Sequence, residues 1–122
     1  MLDTKKAEKI YKKSIFVLNS TQLKNGGCLA TPKGERYPYV YPRDHAIILL
    51  GFLDADLNKE CKKGLEFVLK SQLTSGAFPQ RLNIKGKDAS YKPIQLDGTA
   101  LIIYAFAKYL KKTGNKKFKK KH

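Results

Sequence analysis

Hydrophobic residues recur at helical spacing in four stretches of the chain, and the stretches are of two kinds. In the first, Asp3 or Thr4 can cap a helix in which Ala7, Ile10, Tyr11, Ile15 and Leu18 share one face. Lys5, Lys6, Lys9, Lys12 and Lys13 fill the rest of its circumference. Asn58 to Gln72 has the same character, with Cys61, Leu65, Val68 and Leu69 inward and Lys59, Lys62, Lys63, Glu66 and Lys70 outward. The stretches from Arg43 to Asp54 and from Asp97 to Lys111 differ. Ala46 to Leu50 with Phe52 and Leu53, and Ala100 to Ala107 with Tyr109 and Leu110, leave almost no polar face. A helix apolar all round must be surrounded by other elements. The amphipathic helices therefore belong outside and the apolar ones inside.

Between them run two loops, Asn19 to Arg36 and Thr74 to Ile94, each broken by glycine and proline. The order amphipathic helix, long loop, apolar helix headed by an acid occurs twice, with Asp44 and Asp97 in matching places about fifty residues apart. This predicts an all-α fold of two α-helical hairpins over residues 1–114, with both acids at the same end. Gly114 stops the last helix, and residues 115–122 read as a basic tail that frays.

Ahead of the first apolar helix stands Tyr37-Pro38-Tyr39-Val40-Tyr41-Pro42-Arg43-Asp44. Tyrosines at every second position of an extended segment fall on one side and can form a wall. Pro42 suits the first position of a helix, so Arg43 and Asp44 sit in its first turn. A guanidinium beside a carboxylate, framed by aromatic faces, matches the donors, acceptors and C–H faces of a polyhydroxylated ring. The same residues also read as a helix start with an acidic cap, a local ion pair and core tyrosines. His45 reads as a packing residue. Phe78-Pro79-Gln80-Arg81 reads as the rim of the same cleft or as a rigid surface turn.

The segment Gly26-Gly27-Cys28-Leu29-Ala30-Thr31-Pro32, followed by Tyr37 to Asp44, resembles the opening of the catalytic domain in glycoside hydrolase family 15, the family of glucoamylases and related trehalases and glucodextranases. Gln95-Leu96-Asp97-Gly98-Thr99-Ala100-Leu101 resembles a second motif of that family, and the likeness extends over roughly Ile10 to Leu110. It implies a partial (α/α)6 toroid, with an α-glucan or α-glucoside bound over the starts of the inner helices. Arg43 and Asp44 match the pair that bonds the hydroxyls of the terminal glucose, and Tyr37 matches a tyrosine near the reacting carbon. Tyr41 stands where the family usually has tryptophan, and Gln95 and Asp97 belong to the second motif. Inverting glycosidases need two carboxyl groups, one as acid and one as base. The family's two glutamates come later in the toroid, and Glu8, Glu35, Glu60 and Glu66 sit in no such motif. No catalytic residue is assigned, and the chain alone is expected to be inactive. A closed toroid needs about three times this length if each hairpin takes roughly fifty residues. A completing chain or self-association is therefore expected.

Charge adds a competing class. The 122 residues hold 25 basic and 10 acidic side chains, a net +15, which invites nucleic acid or an anionic surface. Nearly all the bases are lysine, only Arg36, Arg43 and Arg81 are arginine, and no nucleic-acid-binding signature occurs. A lysine-rich nucleic-acid binder is thus the lesser alternative, beside a non-catalytic carbohydrate-binding or regulatory module. Cys28 and Cys61 lack metal spacing and read as reduced thiols, so neither metal nor cofactor is expected. With no leader at Met1 and no run of about 20 apolar residues, the expected setting is the cytoplasm, away from membranes.

Overall fold

A computed structural model describes residues 3–31 and 38–121, the side chains of Lys120 and Lys121 excepted. The fold is all-α: α1 (Thr4–Ser20), α2 (Pro42–Asp54), α3 (Asn58–Leu69), α4 (Leu96–Thr113) and α5 (Lys116–Lys121). Among the described residues the only extended pairings are isolated bridges within the loops. The start of α1 is fixed by Asp3, whose carboxylate accepts the Lys5 N–H at 3.1 Å. Pro42 opens α2, and Gly114, in the left-handed conformation, closes α4.

α2 is the centre, with Ala46, Leu49 and Phe52 fully buried. α3 runs back along it after a short turn through Ala55 to Leu57. At Gly64 the two helices are so close that a Cβ would collide with Leu49. α4 instead runs parallel to α2. At one end Gly98 lies against Pro42 and Arg43. At the other, the Lys112 ammonium donates to the Leu53 carbonyl and to Asp56 at 2.7 Å. Asp44 and Asp97 consequently lie at the same end, as the sequence pattern predicts. No described helix is long and apolar enough to cross a membrane.

The repetition extends to single hydrogen bonds. After α1, the Thr21 hydroxyl donates to Leu18 O at 2.6 Å and the Gln22 amide to Gly26 O at 3.1 Å. After α3, Ser71 donates to Val68 O at 2.6 Å and Gln72 to Gly76 O at 2.8 Å. Gly26 and Gly76 hold φ of 98° and 92°, left-handed geometry that favours glycine. Each turn then delivers a backbone N–H to the fourth residue of the apolar helix: Cys28 to the ring of His45, Phe78 to the hydroxyl of Thr99.

Four expectations change. α4, apolar nearly all round, is not surrounded by other elements, since Leu96, Ile103 and Tyr104 are exposed. Asp44 and Asp97 are not equivalent positions: Tyr41 and Gln95 cap their helices with the same backbone angles, so Arg43 corresponds to Asp97 and Asp44 to Gly98. The apolar face of α1 is not an inward face, since no α1 residue is buried and Ile10 and Tyr11 are exposed. Of α1, only Leu18 packs on the core, because no described element covers the rest of its apolar face. Lys116–Lys121 is a helix, and not a frayed tail, because Phe118 is buried against Phe106 and Tyr109 at 5.6 and 5.1 Å between ring centres.

Candidate functional site

The first turns of α2 and α4 stand side by side, and their polar residues meet. Arg43 Nη1 donates to Asp97 Oδ2 at 3.3 Å, and Arg43 Nε lies 3.9 Å from Asp44 Oδ1. The sequence pairs Arg43 first with its neighbour; the shorter contact is the one across the two helices. All three side chains are about half exposed, at 51%, 42% and 54% for Arg43, Asp44 and Asp97. Both carboxylates sit where a helix N-terminus favours negative charge. Exposed ion pairs of this kind contribute only about 0–1 kcal/mol, so a ligand hydroxyl can replace either partner at little cost. Asp97 also accepts the Gly98 N–H at 2.8 Å, which orients its carboxylate.

The wall beside this shelf is built by alternation. Val40 points into the core, fully buried, and exchanges two backbone hydrogen bonds with Leu82 at 2.9 and 2.7 Å. Tyr39 and Tyr41, on either side of it, meet edge to face with 6.5 Å between ring centres. Tyr37 lies outside the described residues. Gln95 occupies the cap position of α4 without a side-chain capping bond, and its carbonyl accepts from Thr99.

Of the loop Phe78 to Arg81, only Arg81 reaches the rim. Phe78 and Gln80 are buried, the Gln80 side chain accepting the Tyr91 N–H at 3.4 Å. The Arg81 guanidinium lies 3.8 Å from the centre of Tyr39 and 4.4 Å from that of Tyr91. Its Nε–H donates to Ala89 O at 2.6 Å. Tyr91 is thus the addition to the residues expected from sequence, which already named Arg81. Its signal was faint, a lone tyrosine in a loop ten residues beyond Arg81.

His45 lies beneath the shelf and takes no part in its surface. It is fully buried, its Nδ1 accepts the Cys28 N–H at 3.1 Å, and its Nε2–H donates to Gly64 O at 2.8 Å. Burial pushes its pKa down to about 4, so the ring is neutral and serves as a strut between the first loop and α3. Cys28 and Cys61 are buried free thiols, each pushed up to about 12 by burial. Glu8 is on α1 and Glu60 and Glu66 are on α3, the outer helices; Glu35 lies outside the described residues. Clefts of about 470 Å³, lined by Leu53, Asp54 and three lysines of α4, and 590 Å³, along α1, lie elsewhere. Neither lining contains an arginine, and volume alone does not make either the better site.

No protein-family model, curated protein or solved structure matches the chain. The chemistry of the shelf must be read from its own groups: one guanidinium between two carboxylates, in the turn that follows Tyr41.

Proposed function

We propose that this shelf grips a glucose unit of an α-glucan or α-glucoside, as the substrate-holding part of a glucoamylase-like inverting glycoside hydrolase of family 15. The observation that supports this best is the meeting of Arg43, Asp44 and Asp97. Two segments that resemble the family's motifs lie far apart in the chain, and their polar residues come together at the starts of two parallel apolar helices. In this reading Arg43 donates to a sugar hydroxyl, Asp44 and Asp97 accept from others, and Tyr41 offers an aromatic face to ring C–H groups. Gln95, at the cap of α4, extends the same site. The acid and the base are not supplied by this chain, which is two hairpins of an (α/α)6 toroid.

Maltose titration followed by backbone NMR tests the reading. A shelf with one wall binds weakly, in the millimolar range or about 4 kcal/mol. Saturable shifts are expected at residues 39–44 and 95–98, and Arg43→Ala should abolish them while the rest of the spectrum stays folded. Shifts that are absent, or that Arg43→Ala leaves unchanged, reject the sugar site.

A further inference from the structure

One face of α4 is apolar and uncovered. Leu96, Ala100, Ile103, Tyr104 and Ala107 follow one another at helical spacing, and all are exposed, Leu96 to 83%, Ile103 to 55% and Tyr104 to 50%. The repeat says what such a face is for. With Arg43 equivalent to Asp97, the same positions on α2 are Pro42, Ala46, Leu49, Leu50 and Leu53. Four of these five are buried and Leu50 is half-buried. What covers them is the second unit: Gly98 of α4 lies on Pro42, Gly64 of α3 on Leu49, and Lys112 of α4 reaches Leu53.

α5 supplies an independent observation. It opens behind Asn115 as α3 opens behind Leu57, the carbonyls of Asn115 and Leu57 accepting from Lys119 and Cys61, and an apolar side chain early in each helix, Phe118 and Cys61, is buried. Phe118 rests on Phe106, the α4 equivalent of Phe52, the residue whose carbonyl the chain entering α3 bonds through Leu57 N–H at 2.8 Å. α5 therefore starts where a third outer helix would start. Beyond it the groove is open: α3 crowds Gly26, whereas nothing lies within 4 Å of a Cβ at Gly76.

We infer that the stripe on α4 is the docking surface for a third helical unit of the same design, an amphipathic helix followed by an apolar one. Its apolar helix runs parallel to α4, with a small residue near its start where Gly98 stands on α4. A second copy of this chain fits less well, because its α1 would need the place that Phe118 already holds. This inference does not depend on the sugar reading; it rests on the repeat and on the exposed stripe.

The test replaces residues 119–122 by a copy of residues 61–113, matching Asn115 to Leu57 so that a complete third unit follows in register. A docked unit yields one cooperative urea transition with a higher midpoint and a steeper slope than the natural protein. Ile103→Lys should leave the natural protein's midpoint unchanged. In the extended chain it should raise the unfolding equilibrium constant at least about tenfold, because it buries a charge in the new interface. An appended unit that melts separately or stays unfolded, or an Ile103→Lys effect equal in both chains, overturns the inference. Light scattering on the natural chain is the second readout. A dimer that Ile103→Lys dissolves assigns the stripe to another copy and also overturns it. A mass that this substitution does not change supports it.

Discussion

Mild acid should weaken this fold through one ring. In the folded protein His45 is neutral, its Nδ1 accepting from Cys28 and its Nε2–H donating to Gly64 O. Protonation would put a second N–H where Cys28 N–H already points and would leave a charge in a site with no exposure. Its pKa falls from the ordinary 6.5 to about 4 in the fold. Between those values the unfolded chain binds a proton that the folded chain refuses. The stabilisation is therefore complete above pH 6.5 and is lost progressively as pH falls toward 4. A shift of about 2.5 units at 1.36 kcal/mol each gives about 3 kcal/mol, a large fraction of the 5–15 kcal/mol typical of a domain. Asp56 and Asp88 also have lowered pKa values, Asp56 through its bond to Lys112 and Asp88 through Ser90, but they titrate below the histidine window. The assay is urea unfolding by circular dichroism from pH 7.5 to 4, on the natural protein and on His45→Gln. The variant should be less stable at pH 7 and nearly flat between pH 6.5 and 4.5. An equal slope in both proteins would show that general charge repulsion, and not this ring, sets the acid limit.

Three further outcomes follow from the geometry. Gly26→Ala should destabilise by more than Gly76→Ala: both bear a positive φ, but only at Gly26 would the new Cβ collide with the backbone of Lys63, and the difference in urea midpoint should correspond to about 1–3 kcal/mol. Cys28 and Cys61, buried with thiols pushed up to about 12, should resist alkylation by iodoacetamide at pH 8 until urea unfolds the chain. Rapid native labelling would place them at the surface. The purified chain should release no glucose from maltose, starch or trehalose, since its described glutamates lie on outer helices; release abolished by Asp44→Asn would contradict this.

Much of this was legible in the chain. Periodicity marked α1 to α4 and the central place of α2, though not the exposed face of α4, and alternation put Tyr39 and Tyr41 on the same side of their segment. The exposed face of α1 was not legible, because a pattern states that a face needs a partner and not whether the chain contains one. α5 was hidden by composition: a single phenylalanine among lysines reads as tail until the rings of Phe106 and Tyr109 are seen beneath it. The pairing of the two acids slipped by one because a helix begins at its cap, and Tyr41 and Gln95, not the acids, set the register. The twin turns were there to be read, as Thr21-Gln22-Leu23 and Ser71-Gln72-Leu73 with a glycine three residues on.

Arg43 and Asp97 hold the same place in two copies of one unit, 3.3 Å apart. Were the copies identical there, two arginines or two aspartates would face each other and repel. Divergence at that one position turns a symmetric clash into an attraction with a direction, donor on one side and acceptor on the other. The two copies are thus joined across the very position at which they ceased to be alike.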